Sequence, residues 1–88
     1  MIRRTAIVKN KLGIHARPAA LLVRAASKFQ SEIFLTKDTA RVDGKSIMGV
    51  MMLAAGTDSE IVVEASGADE KKAVQKLAAM VESDFEYG

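Results

Sequence analysis

"LGIHARPAALLVRAAS", residues 12–27, holds within its first seven residues a glycine, the only histidine of the chain and the only proline, and then turns apolar at helical spacing. From Ala16 onward, Ala19, Leu22, Val23 and Ala26 recur at i, i+3, i+4 and i+7, the stripe of an amphipathic helix. The spacing predicts a helix that begins at His15 and ends near Ser27 or Lys28. Pro18 has no N–H and fits the first turn, where none is used by the helix ladder. Before this segment, "IRRTAIV" (2–8) alternates like a strand with one buried face, and Asn10 to Gly13 read as the loop leaving it. After it, "EIFLT" and "ARVDG" flank Lys37-Asp38-Thr39, a turn-like triplet that implies a hairpin. A short helix follows with Ser46 as N-cap, Ile47 to Leu53 as body and Gly56 closing it. "EIVVEAS" makes a fourth strand. Ala73, Val74, Leu77, Met80 and Val81 mark a last helix, for which Asp69 is the expected cap.

The order is therefore βαββαβα. With helices between strands one and two and between three and four, this is the split βαβ arrangement of an α+β open-faced sandwich: a four-stranded, mostly antiparallel sheet with three helices on one face. Residues 1–88 are expected to form one domain with a single modest core. Strand two resists a simple parity, because Ile33, Phe34 and Leu35 are apolar in succession.

Composition narrows the function. Apolar residues make up 49% and charged residues 27%, the balance of an ordinary globular chain, which speaks against disorder. The chain has no cysteine, which removes disulfides, thiolate metal sites and thiol catalysis. One histidine offers too few ligands for zinc, so no metal and no cofactor are expected. A net charge of +2, no tryptophan and no basic run argue against nucleic acid. Neither a secretory signal nor an apolar run of membrane-spanning length is present, so a cytoplasmic monomer without membrane insertion is the expectation.

A helix start carries unpaired N–H groups and about half a positive charge, and so attracts anions. With His15 as cap residue, the first-turn N–H groups of Ala16 and Arg17 lie beside the imidazole, and the Arg17 guanidinium can fork onto phosphate oxygens. The positive end also favours an uncharged ring, whose nitrogen is then a nucleophile. A phosphoryl group bound there is held by a modest helix term of about 0.3–1 kcal/mol, weak enough to be given away again. The opposing reading is a histidine that merely fills a place on a small domain.

"GIHARPAA" together with "KSIMGVMMLAAG", and the "SGADE" before the last helix, resembles the HPr family, the histidine-containing phosphocarriers of the phosphoenolpyruvate-dependent phosphotransferase system. The resemblance covers essentially the whole chain. It implies that His15 is phosphorylated on Nδ1 by enzyme I and passes the phosphoryl group to a histidine of enzyme IIA domains, that Arg17 stabilises the phosphate, and that the chain is a carrier, not an enzyme. It also implies that Ser46 is the target of an ATP-dependent HPr kinase/phosphorylase. "GKS" at 44–46 mimics the end of a P-loop, but Thr39 stands where that motif needs its first glycine. Ala16, Ala20, Arg24 and Ser27 on one side of helix one, with Ile47, Met48 and Met51 near the short helix, form the expected docking surface for partners. Arg17, Arg24 and Lys45 are its expected basic rim, whereas Met52 and Leu53 are expected in the core. The competing function is a phosphorylation-switched regulatory binding module in carbon or nitrogen signalling, with no part in sugar uptake.

Overall fold

The computed structural model describes residues 1–83. Its elements run β1 (Ile2–Ile7), α1 (Ala16–Ala26), β2 (Glu32–Lys37), β3 (Ala40–Asp43), α2 (Ile47–Met52), β4 (Glu60–Ser66) and α3 (Glu70–Val81), the expected βαββαβα order. The sheet order is β1-β4-β2-β3, and every pairing is antiparallel, so the sheet is fully rather than mostly antiparallel.

Register resolves the parity of strand two. Ile33 pairs with Ala65 and Leu35 with Val63, and all four are buried under the helices. Phe34 points to the other face beside Glu64. There the Arg41 guanidinium lies 3.8 Å from the Phe34 ring centroid and contacts Glu64 at 3.5 Å, while Arg3 reaches the same carboxylate at 3.7 Å. Two cations and an aromatic thus cover the open face locally, and Glu64 is left only 8% exposed.

The core lies between the other sheet face and the helices. Ala6, Ile61 and Val63 from the sheet and Val8 just after β1 meet Ala19, Leu22 and Ala26 of α1, Val50 of α2 and its C-cap Leu53, and Ala73, Val74, Leu77 and Val81 of α3. Small residues on the helices let them approach the sheet closely, and the apolar stripe of α1 is the one its spacing predicts.

The helix termini match expectation in part. The first helical residue is Ala16, one later than the spacing predicts, while His15 is the N-cap and Ser27 the C-cap, both as expected. At the end of α2 it is Ala54 that takes a left-handed φ of 49°, so Gly56 does not close that helix. Asp69 does occupy the N-cap position of α3 but makes no capping bond. Its carboxylate instead accepts from the Gln30 and Ser31 N–H groups and the Ser31 hydroxyl, and the Gly67 N–H donates to Glu70 Oε1 at the helix start.

Candidate functional site

His15 is half-buried in extended backbone (φ −98°, ψ −164°), and its carbonyl accepts the Ala19 N–H at 2.9 Å, the first rung of α1. The first-turn N–H groups of Ala16 and Arg17 point out of this end of the helix, the direction from which an anion would approach. Pro18 is buried against the core without wasting a donor. Arg17 is exposed, and the first turn carries no acidic residue to oppose an anion.

The imidazole is positioned by the loop before it. Gly13 adopts φ +73°, its N–H bonds the Asn10 carbonyl at 2.9 Å, and the buried Asn10 amide returns a bond to the Gly13 carbonyl at 2.8 Å. The Ile14 N–H bonds the Ala55 carbonyl at 2.7 Å, which ties the histidine loop to the segment after α2. Sequence reasoning missed Asn10 and Ala55 as positioning residues. The asparagine three residues before a glycine was the one available signal, and it is common to many turns.

The second motif lies close by, because α2 packs on α1. Ser46 is the N-cap of α2, and its hydroxyl accepts the Gly49 N–H at 3.1 Å, as the sequence predicts. The donors that would make a P-loop are used internally: the Gly44 N–H bonds the Ile33 carbonyl at 2.8 Å, the Lys45 N–H bonds Asp43 Oδ1 at 2.8 Å, and Lys45 Nζ bonds the Phe29 carbonyl at 2.8 Å. Lys45 therefore ties the loop after β3 to the end of α1 and does not stand in the basic rim.

Of the residues expected to meet partners, Ala16, Arg24, Ser27, Ile47, Met48 and Met51 are exposed and Ala20 is half-buried. A shallow groove follows α1 along Ala16, Arg17, Ala20, Leu21 and Arg24. Met48 is 75% exposed and Met52 76%, so Met52 is not in the core, whereas Leu53 at 5% is buried as expected. Six-residue α2 is too short for a fully two-sided pattern to be read from its methionines. Among the described residues, no group of three or more His, Cys, Asp or Glu side chains is placed to hold a metal ion. No helix there is long and apolar enough to cross a membrane.

Comparison with known proteins agrees with the fold. The family model described as "PTS HPr component phosphorylation site" matches residues 2–83. The phosphocarrier protein HPr of Treponema pallidum is 49% identical over 86 residues, covering 98% of each chain. The HPr-like protein Crh of Bacillus subtilis is 46% identical over 84 residues, covering 96% of this chain and 99% of its own. Among solved structures, HPr-C-His from Thermoanaerobacter tengcongensis superposes with a TM-score of 0.92 at 45% identity, covering 98% of this chain and 97% of that one.

Proposed function

Because the chain belongs to the HPr family of phosphotransferase-system phosphocarriers, we propose that His15 is the residue that carries the phosphoryl group, with Arg17 as its counter-charge. The lone pair of His15 Nδ1 attacks phosphorus on phospho-enzyme I, the N–P bond forms as the bond to the donor breaks, and a histidine of an enzyme IIA domain then repeats the step on phospho-His15. The imidazole is regained, so the chain is the substrate of both transfers and no catalyst itself.

The observation that carries this reading is the placement of a half-buried imidazole at the N-cap of α1, with an exposed arginine two residues on. The helix end and Arg17 both favour the dianion over the bare ring. Ala16, Ala20, Arg24 and Ser27, with Ile47, Met48, Met51 and the exposed Met52, would receive partners. Methionine adapts to unlike surfaces, which suits a carrier with several. The contact would be small and transient, steered by Arg17 and Arg24. The carrier would act in the cytoplasm as a monomer, a state that sedimentation or light scattering measures directly.

Incubation with enzyme I and phosphoenolpyruvate is expected to add one phosphate, labile to acid and largely stable to alkali, and none to His15→Ala. Incorporation that survives in His15→Ala removes the assignment. Arg17→Ala is expected to slow transfer while leaving the unfolding midpoint nearly unchanged.

The similarity to Crh at almost the same identity as to HPr supports a second reading, in which phosphorylation of Ser46 by an HPr kinase/phosphorylase switches binding to a regulatory partner. A phosphate on Ser46 would keep an acceptor for the Gly49 N–H while adding nearly two negative charges beside the docking surface. A partner captured by Ser46→Asp that never receives phosphate from His15 favours this role.

A further inference from the structure

On the same helix, at the end away from His15, a groove of about 490 Å³ opens between the end of α1 and the first two turns of α3. Ala25 and the half-buried Phe29 give it apolar surface, and Lys28, Lys72, Gln75 and Lys76 line it with exposed side chains. The small Ala25 lets the floor lie low between the helices. Past the C-cap, the Lys28 and Phe29 N–H groups bond the Ala25 and Ala26 carbonyls, a tighter turn that carries Lys28 and Phe29 off the helical path. Lys45 Nζ, held on the Phe29 carbonyl at 2.8 Å, fixes the backbone at that point.

Three lysines around one apolar groove are a local excess in a chain whose net charge is only +2. Among the described residues, none of the three makes a salt bridge: the ion pairs are Met1–Glu70, Arg3–Glu64, Lys37–Asp38 and Arg41–Glu64. Lys72 and Lys76 stand one helical turn apart, so their ammonium groups can meet two carboxylates of one short segment while an apolar side chain enters between the helices. A bare anion would leave the apolar floor uncovered. A lipid surface needs large apolar side chains that protrude; among the described residues the exposed ones are Met1, Leu12, Ile47, Met48, Met51 and Met52, and none of them lines this groove.

We propose that this groove is a second docking site, which takes an acidic linear segment of a partner protein through two carboxylates and one apolar side chain. The length of α1, about 16 Å, separates it from His15. A partner can therefore be held there whatever the state of the histidine, and the proposal does not depend on the carrier role.

The test titrates the ¹⁵N-labelled protein at low ionic strength with a capped hexapeptide, Glu-Asp-Leu-Phe-Glu-Asp. Amide shifts are expected at Ala25, Lys28, Phe29, Lys72, Gln75 and Lys76, with affinity unchanged in His15→Ala. The double variant Lys72→Glu/Lys76→Glu is expected to bind about tenfold more weakly, and Lys28→Glu, on the opposite wall, to weaken binding in the same direction. The three lysines substituted are all exposed, and circular dichroism checks that the variants fold. Wild-type affinity in the double variant, shifts centred on α2 instead, or equal binding of a peptide with serine in place of leucine and phenylalanine would each overturn the proposal. So would the absence of shifts at about 1 mM peptide. Sedimentation with phosphatidylglycerol vesicles that the double variant abolishes, without any response to the peptide, assigns the groove to a membrane surface and overturns it as well.

Discussion

Gly13 shows how much of the site rests on one backbone conformation. Its φ of +73° lies in the left-handed region, and a Cβ added there would stand 2.5 Å from the Ala55 carbonyl oxygen and 2.8 Å from Gly56 Cα. Both obstacles are backbone, so neither can rotate away. Gly13→Ala is expected to cost about 3 kcal/mol, combining left-handed strain with the clash, and to shift the His15 ring resonances because the Ile14–Ala55 bond must move. Gly56 is the internal control, since nothing lies within 4 Å of an added Cβ and its φ is not left-handed. Gly56→Ala is expected to change stability by less than about 1 kcal/mol. Denaturant midpoints of the two variants measure the contrast, and equal losses would sink this account of the loop. The presence of a turn glycine before the histidine was legible in the sequence. Its close approach to Ala55 was not, because the two segments are distant in the chain.

At the scale of elements, α2 is the informative case. Six residues cannot sustain a helix on propensity, so it depends on its cap and on packing. Val50 is fully buried, and Gly49 lies so near β3 that an added Cβ would come within 3.3 Å of Val42 Cβ. Ser46→Ala is expected to lower stability by about 1 kcal/mol, and Ser46→Asp to restore most of it, because aspartate also accepts the N-terminal N–H. Urea unfolding of the three forms tests this, and an alanine variant as stable as the serine form would remove the capping role. The cap was readable from Ser46 ahead of an apolar run. The exposure of Met52 was not, since in so short a helix the side facing solvent is chosen by where α1 and β3 already lie. Asp69 makes the converse point: its place at the head of α3 was readable, while its hydrogen bonds to Gln30 and Ser31 cross from another element.

For the whole molecule, that cross-link joins the loop between α1 and β2 to the head of α3, 38 to 39 residues apart in sequence. The Ser31 hydroxyl foremost, and the Gln30 N–H next, hold the Asp69 carboxyl down from 3.8 to about 2, against a smaller opposing effect of burial. A carboxyl whose folded value is depressed stabilises the fold above its unfolded value and ceases to do so as pH falls through the folded one. Stability is thus expected to decline between about pH 4 and pH 2. Asp69→Asn should be less stable than the wild type at neutral pH and lose less on acidification in that window. Thermal unfolding at several pH values measures this, and parallel profiles for the two proteins would show that Asp69 is not the acid-sensitive link. Gly67, with φ +150° and an added Cβ 2.8 Å from Ser31 Cα, shows how closely the two segments are pressed together.

Local periodicity, turn chemistry and capping residues were enough to specify the seven elements, the histidine at a helix entrance and the serine at the head of α2, because each is a matter of a few neighbouring residues. The strand order, the orientation of Phe34 under Arg41, the engagement of Lys45 with the Phe29 carbonyl and the lysine-rimmed groove arose only when distant segments met. Those features depend on register and on packing between helices, and neither quantity is written in any short stretch of chain.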